Sequence, residues 1–194
     1  AQEEQEQPRR PGAGFYEWLQ LFLGCVVAAV VQFNCVARLT RVDGDSMDNT
    51  LQHGEILLIW SLGYSPRQGD GVVLNKTPVI LPGWTEPRAI VKRVIATGGQ
   101  TVDIDYGSGA VYVDGQRLDE PYIKEPTYTS EGVQFPLTLG EGEVFVMGDN
   151  RNQSTDSRDP KLGPVDERYL QGKALFLLLP GKTPDTDRID WGRI

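Results

Sequence analysis

The chain has 194 residues, enough for one domain with a real apolar core and a small appendage. With 19 Lys and Arg against 27 Asp and Glu, its formal net charge of −8 argues against a general nucleic-acid binder and against adhesion to anionic lipid through charge alone. Two cysteines, Cys25 and Cys35, and one histidine, His53, are too few for a structural zinc site.

Residues 1–14, rich in Glu, Gln, Pro and Gly, are expected to form a disordered tail. The absence of an initiator methionine suggests trimming or processing. Residues 15–37 then read as a helix whose apolar centre runs from Leu21 to Val31. About 22 helical residues from Tyr16 to Ala37 span roughly 33 Å, against about 30 Å of bilayer hydrocarbon. A transmembrane span is therefore favoured over a buried or interfacial helix, an alternative that Gln20, Gln32 and Asn34 keep open. Trp18 and Tyr16 suit one interface, and Gln32, Asn34 and Arg38 the other. A cleaved signal peptide fits less well, because the apolar run is long and no small-x-small site follows it. Arg9 and Arg10 precede the helix while Arg38 and Arg41 follow it, so charge leaves the orientation unset. On one helix the cysteines lie about 15 Å apart, beyond the roughly 7 Å that a disulfide tolerates.

From Val42 onward the texture is β. Short apolar runs (Leu39–Val42, Glu55–Trp60, Gly71–Leu74, Ala89–Ala96 and Glu143–Met147) alternate with Gly, Pro and Asp clusters. Asp114-Gly115 between Val111–Val113 and Gln116–Leu118 predicts a two-residue hairpin. Pro78, Pro82 and Pro87 mark an irregular loop. A short helix is expected over Val165–Leu170, and a last buried strand over Ala174–Leu179. The expectation is one mainly β domain, residues 38–194, behind one anchor.

Three segments could carry chemistry. Ser46 sits in the turn Gly44-Asp45-Ser46-Met47, where a hydroxyl projects and backbone N–H groups converge; it is a weak nucleophile without a base. His53 lies seven residues on and reads as a solvated or capping residue of a surface turn. Lys92 and Arg93 interrupt an apolar strand, and alternation sends one of them inward. A buried lysine loses hydration of its charged form, so a neutral amine becomes accessible as a general base. The third segment, Gly148 to Arg158, is dense in hydroxyl and charged groups and could build a network that orients such an amine. Its Asp149, Asn150, Asp156 and Asp159 do not follow the calcium-loop spacing, and no metal is expected.

In this order the segments resemble the bacterial type I signal peptidases, membrane-bound serine–lysine proteases. Gly44-Asp45-Ser46-Met47 with Thr50-Leu51 is similar to the nucleophile box, Lys92-Arg93-Val94-Ile95 to the lysine box, and Gly148 to Arg158 to the last box. Gln68-Gly69-Asp70 with Val72-Val73, and Glu120-Pro121-Tyr122-Ile123, look like further family segments. The resemblance implies a signal-peptidase-like β-rich fold, with a cytoplasmic tail, one span and an extracytoplasmic catalytic domain in the cell membrane. It implies an endopeptidase that removes signal peptides from exported pre-proteins after small residues of the Ala-x-Ala type, with no cofactor. Its partners would be those pre-proteins and the lipid bilayer, with no nucleic acid; oligomeric state is not implied.

The same resemblance implies residue roles. Ser46 would be the acylating nucleophile and Lys92 the general base. Ser154 would hydrogen-bond the lysine amine, with Asp156 and Arg158 bracing its loop, and the Ser46 N–H would hold the oxyanion. Gly44 stands where some relatives place a serine hydroxyl in that hole, which points to backbone donors and the Gram-positive kind. Val42, Gly44, Met47, Ile90 and Val91 would line a groove that takes an extended substrate along a strand edge. The chain departs from the pattern at Asn49, where proline is usual, at Ala96 to Gln100, and in the length of Arg158 to Gly163. A self-cleaving repressor of the SOS type shares the Ser/Lys pair but would carry a DNA-binding domain where this chain has its apolar helix. The rival of another class is a non-catalytic, membrane-tethered β module.

Overall fold

The computed structural model describes residues 13–32, 36–76 and 88–181. The expected tail up to residue 12, Asn34, Cys35 and the loop prolines 78, 82 and 87 lie outside these. Helix α1, Ala13–Val31, has 19 residues, about 28 Å of length. Glu17 and Gln20 aside it is apolar: Phe15, Leu21, Leu23 and Val27 are exposed, and Trp18 and Phe22 stack one turn apart at 5.6 Å. None of the Gly14–Val31 window is buried against protein. The buried-helix alternative therefore does not hold, and the segment is long and apolar enough to cross a membrane.

Among the described residues eleven strands follow: β1 Ala37–Arg41, β2 Ile56–Trp60, β3 Gly71–Lys76, β4 Arg88–Thr97, β5 Thr101–Asp105, β6 Ala110–Val113, β7 Gln116–Arg117, β8 Leu137–Thr138, β9 Glu143–Met147, β10 Val165–Asp166 and β11 Leu170–Leu179. They form a seven-stranded antiparallel sheet, in the order β1-β2-β11-β3-β4-β9-β10, and a four-stranded one, β7-β6-β5-β8. The hairpin turn has Asp114 at φ 53° and Gly115 at φ 75°, the left-handed pair that a two-residue turn requires. Phe135 packs edge-on against Phe145 of β9 and Tyr106 beyond β5, so aromatic rings join the two sheets.

The large sheet curls. Val42, just past β1, shares one buried cluster with Leu57 and Ile59 of β2, Val73 of β3 and Val91 of β4, although β1 and β4 are four strands apart in the sheet. Curling brings two open edges toward each other. Among the described residues β1 pairs with β2 alone. On β4, pairing with β9 begins at Arg93, opposite Met147, so among the described residues the edge of β4 from Ala89 to Lys92 pairs with β3 alone.

Three expectations are corrected. Ala37 opens β1 rather than closing the helix. Val165–Leu170 is no helix: β10, a 3-10 turn over Glu167–Tyr169 and the first residue of β11 occupy it, with Asp166 capping the turn through its bond to the Arg168 N–H. The last strand is longer than Ala174–Leu179 and is not buried along that stretch, since Leu175, Phe176, Leu178 and Leu179 are exposed. Its bulge at Gly172, φ +148°, lets the backbone pass Trp60; a Cβ there would strike the Trp60 carbonyl and meet Ile59 Cγ2 at 3.0 Å. Gly172→Ala should cost about 2 kcal/mol, lowering the melting temperature by about 4–8 °C in thermal denaturation.

Candidate active site

The chain leaves β1 into a tight turn. Val42 is held to the next strand by its N–H to Glu55 O at 2.8 Å and by Gly54 N–H to its carbonyl at 2.9 Å. Gly44, φ +88°, reverses the chain, and its N–H donates to His53 Nδ1 at 3.0 Å. Asp48 N–H to Asp45 O, and Thr50 and Leu51 N–H to Met47 O, then wrap the backbone around Ser46. The Ser46 N–H meets no acceptor among the described residues. Asn49 adopts φ +86°. Asparagine tolerates this left-handed geometry, whereas proline is locked near −65°, so this turn takes a path that the proline common at this place could not follow.

Lys92 comes from the open edge of β4. Its side chain is buried, 3% exposed, and its Nζ donates to Ser46 Oγ at 2.5 Å. Alternation leads to the expectation that one of the Lys92–Arg93 pair points inward; Lys92 is that buried member, and Arg93 is half-buried. Arg93 forms a two-pronged pair with buried Asp149, Nε to Oδ1 at 2.7 Å and Nη2 to Oδ2 at 2.6 Å. Its Nη1 donates to Gly69 O, and its guanidinium lies over the Tyr122 ring at 4.0 Å. The Asp149 carboxylate holds Arg93 above its ordinary value against the opposing effect of burial.

The segment after β9 docks onto the nucleophile turn. Asn150 donates from its backbone to Ser46 O and from Nδ2 to Asp45 O, both at 3.1 Å. Gly148 permits this approach, because a Cβ there would collide with the Ser46 carbonyl and the Ser154 side chain. Asp156 is the hub. Its carboxylate accepts from Gly148 N–H at 2.9 Å, from Ser154 Oγ at 2.8 Å, and from Arg158 Nε and Nη2, each at 2.8 Å. The structure thus directs the Ser154 hydroxyl to Asp156, while the resemblance implies a bond to the lysine amine. Asp156 and Arg158 pair as the resemblance implies, fully buried.

Several members of the site escaped sequence reasoning. The segment from Glu120 to Val133 straps the two loops together. Glu120 pairs with Arg151 at 2.5 Å, Glu131 with Arg158 at 3.0 Å, Lys124 with Asp48 at 2.6 Å, and Thr50 Oγ1 donates to Tyr122 O. The one available signal was the family-like Glu120–Ile123 stretch; partners 31 and 27 residues apart leave no local pattern. Of the expected groove residues, Val42, Met47 and Val91 share one cluster, but half-buried Ile90 packs instead against the cluster of Val72, Leu74 and Val94. A groove of about 380 Å³ opens between the end of β1 and the start of β4, lined by Arg41, Val42, Asp43, His53 and Ala89. Among the described residues no group of three His, Cys, Asp or Glu side chains could hold a metal ion.

The comparisons with known proteins show a family. The family model described as signal peptidase, peptidase S26, matches residues 15–179. A probable signal peptidase I-1 of Synechocystis sp. is 36% identical over 179 residues, covering 90% of this chain and 83% of that protein. A signal peptidase I of Bacillus licheniformis is 33% identical over 172 residues, covering 85% and 89%. A crystal structure of a signal peptidase I from Enterococcus faecalis V583 has 28% sequence identity and a TM-score of 0.44, covering 58% of this chain and 98% of that one. The chain belongs to the signal peptidase family S26, within it to the type I signal peptidases, hydrolases of signal-peptide processing. Enzymes of this class are membrane-associated, and α1 is consistent with a single span.

Glu131 makes the strap sensitive to pH. Burial, with the negative charge of Asp156 adding to it, pushes its carboxyl from 4.5 up to about 7, against the pull of Arg158. A folded-state value above the unfolded one means that the protonated form favours folding. This contribution is complete below about pH 4.5 and is lost as pH rises through about 7. Glu131→Gln should therefore flatten the decline of stability between about pH 5 and pH 8, measured as urea midpoints across that range.

Proposed function

We propose that Ser46 and Lys92 form a catalytic dyad that cleaves signal peptides from exported pre-proteins after small residues of the Ala-x-Ala type. The observation that carries this reading is the 2.5 Å contact between the Lys92 amine and the Ser46 hydroxyl, on a lysine removed from solvent. With the amine neutral, the hydroxyl donates its proton to Nζ as Oγ attacks the scissile carbonyl. The oxyanion lies against the Ser46 N–H. The ammonium then protonates the leaving amine, and the neutral lysine activates the water that hydrolyses the acyl-enzyme. Ser154, Asp156 and Arg158 act on the far side of Gly148, fixing the loop whose Asn150 clamps the Ser46 carbonyl.

The open edges of β1 and β4 favour a substrate bound as an extended strand between them, with main-chain bonds for affinity and Val42, Met47 and Val91 forming the apolar floor. Membrane attachment through α1 is joined by a second apolar feature. Exposed Leu39, half-buried Leu58 and exposed Phe176 stand on one rung across β1, β2 and β11, with Leu179 beside them. An apolar face of this kind next to the anchor supports contact with the lipid surface, with the catalytic domain on the extracytoplasmic side.

Ser46→Ala and Lys92→Ala should each abolish cleavage of a precursor bearing an Ala-x-Ala site while leaving the melting temperature near that of the parent. Because the base must be unprotonated, turnover should rise with pH through an acid limb. Near-normal turnover in Lys92→Ala, or an acid limb flat down to about pH 5, would remove lysine from the role of base.

A further inference from the structure

His53 stands on the wall of the groove between the end of β1 and the start of β4, of which Val42 and Asp43 directly precede Gly44, and neither the dyad nor the loop network uses it. Its Nδ1 accepts the Gly44 N–H at 3.0 Å, which fixes the tautomer: Nδ1 carries no proton, and Nε2 carries one if the ring is neutral. The Asp43 carboxylate lies 3.6 Å from the same Nδ1. A proton on Nδ1 would end the bond to Gly44 and create a favourable pair with Asp43. One nitrogen thus has two partners, and protonation decides between them.

Gly44 is a position at which this choice matters. It lies between Val42 on the groove floor and Ser46, and as a glycine at φ +88° it has no side chain to fix its orientation. Val42 is pinned by Glu55 and Gly54, and Asp45 O by Asn150; at Gly44 the tether is His53. Other charged groups stand near the imidazole and the Gly44 turn. Arg41 lines the same wall, Asp43 and Asp45 flank Gly44, Glu55 accepts from the Gln52 N–H, and Ala89 and Gly181 bring no charge.

We propose that His53 is a positioning residue that holds the peptide-binding edge at Gly44 in its binding conformation while Nδ1 is unprotonated, and releases it on protonation. This rests on the substrate groove proposed above, and it acts on substrate binding rather than on the chemical step. Asparagine is the informative replacement, because its Oδ1 sits at the same point along the side chain as His Nδ1 and accepts a hydrogen bond without titrating.

The test uses the full chain in detergent micelles and an Ala-x-Ala peptide, with kcat and KM measured separately from about pH 5.5 to 8.5. For the parent, KM should rise about fivefold toward the acid end, the equivalent of one hydrogen bond. His53→Asn should keep the low KM across the range, and His53→Ala should show the high KM throughout, with kcat at alkaline pH within about twofold of the parent. The same ordering should appear in direct peptide binding by proteins that also carry Ser46→Ala. A parent KM that does not change with pH, a His53→Asn profile as steep as the parent's, or a parent-like KM in His53→Ala would each overturn the proposal. Should His53→Ala prove unfolded by thermal denaturation, the parent and His53→Asn profiles decide alone. Retained turnover in Ser46→Ala would instead refute the dyad, and the KM comparison would still be readable.

Discussion

Placing a buried lysine beside a half-buried arginine on one strand is the constraint on which this structure turns. β4 carries Lys92 and Arg93 into the protein, and each must recover the hydration it loses. Arg93 receives a carboxylate in a two-pronged pair and an aromatic face. Removing Asp149 would leave the half-buried guanidinium without its counter-charge. Lys92 donates to the Ser46 hydroxyl at hydrogen-bond distance. Under the proposed function, Arg93 is the structural cation and Lys92 the amine that transfers a proton, one residue apart on the same strand.

The rest of the fold serves that placement. Curling of the large sheet closes the gap between β1 and β4, which sequence separates by more than forty residues. The absence of a side chain at Gly148 lets the loop after β9 sit on the Ser46 carbonyl, and Asp156 ties that loop to Ser154 and Arg158. The strap from Glu120 to Val133 then closes over both loops through Arg151, Arg158 and Asp48. The buried charges are arranged as pairs with specific geometry, so the network gives definition to the site as well as stability.

Much of this was legible in the sequence, for physical reasons. Ser46, Lys92 and the Gly148–Arg158 loop stand out because a polar turn, a cation in an apolar strand and a dense cluster of charge each violate the surrounding pattern. The Asp114-Gly115 hairpin was readable because its φ values demand those residues. By contrast, the exposed face of β11 was misread as core, since an apolar run does not say whether it faces protein or another apolar medium. The Val165–Leu170 stretch is too short for periodicity to separate strand, turn and helix. The Glu120–Arg151 and Glu131–Arg158 pairs were invisible because long-range ionic partners leave no spacing signal. Asn49, an unexplained departure in the sequence, becomes intelligible once its positive φ is known.

The central claim is that Lys92 activates Ser46, and acylation of the serine measures it most directly. The full-length protein would be treated with a serine-acylating probe at neutral pH and the site of modification mapped by mass spectrometry. One adduct is expected on Ser46, formed at a rate that falls by at least about a hundredfold in Lys92→Ala while Lys92→Ala keeps its folded melting transition. Labelling of Ser46 at the parent rate in Lys92→Ala, or modification of another residue in its place, would contradict it.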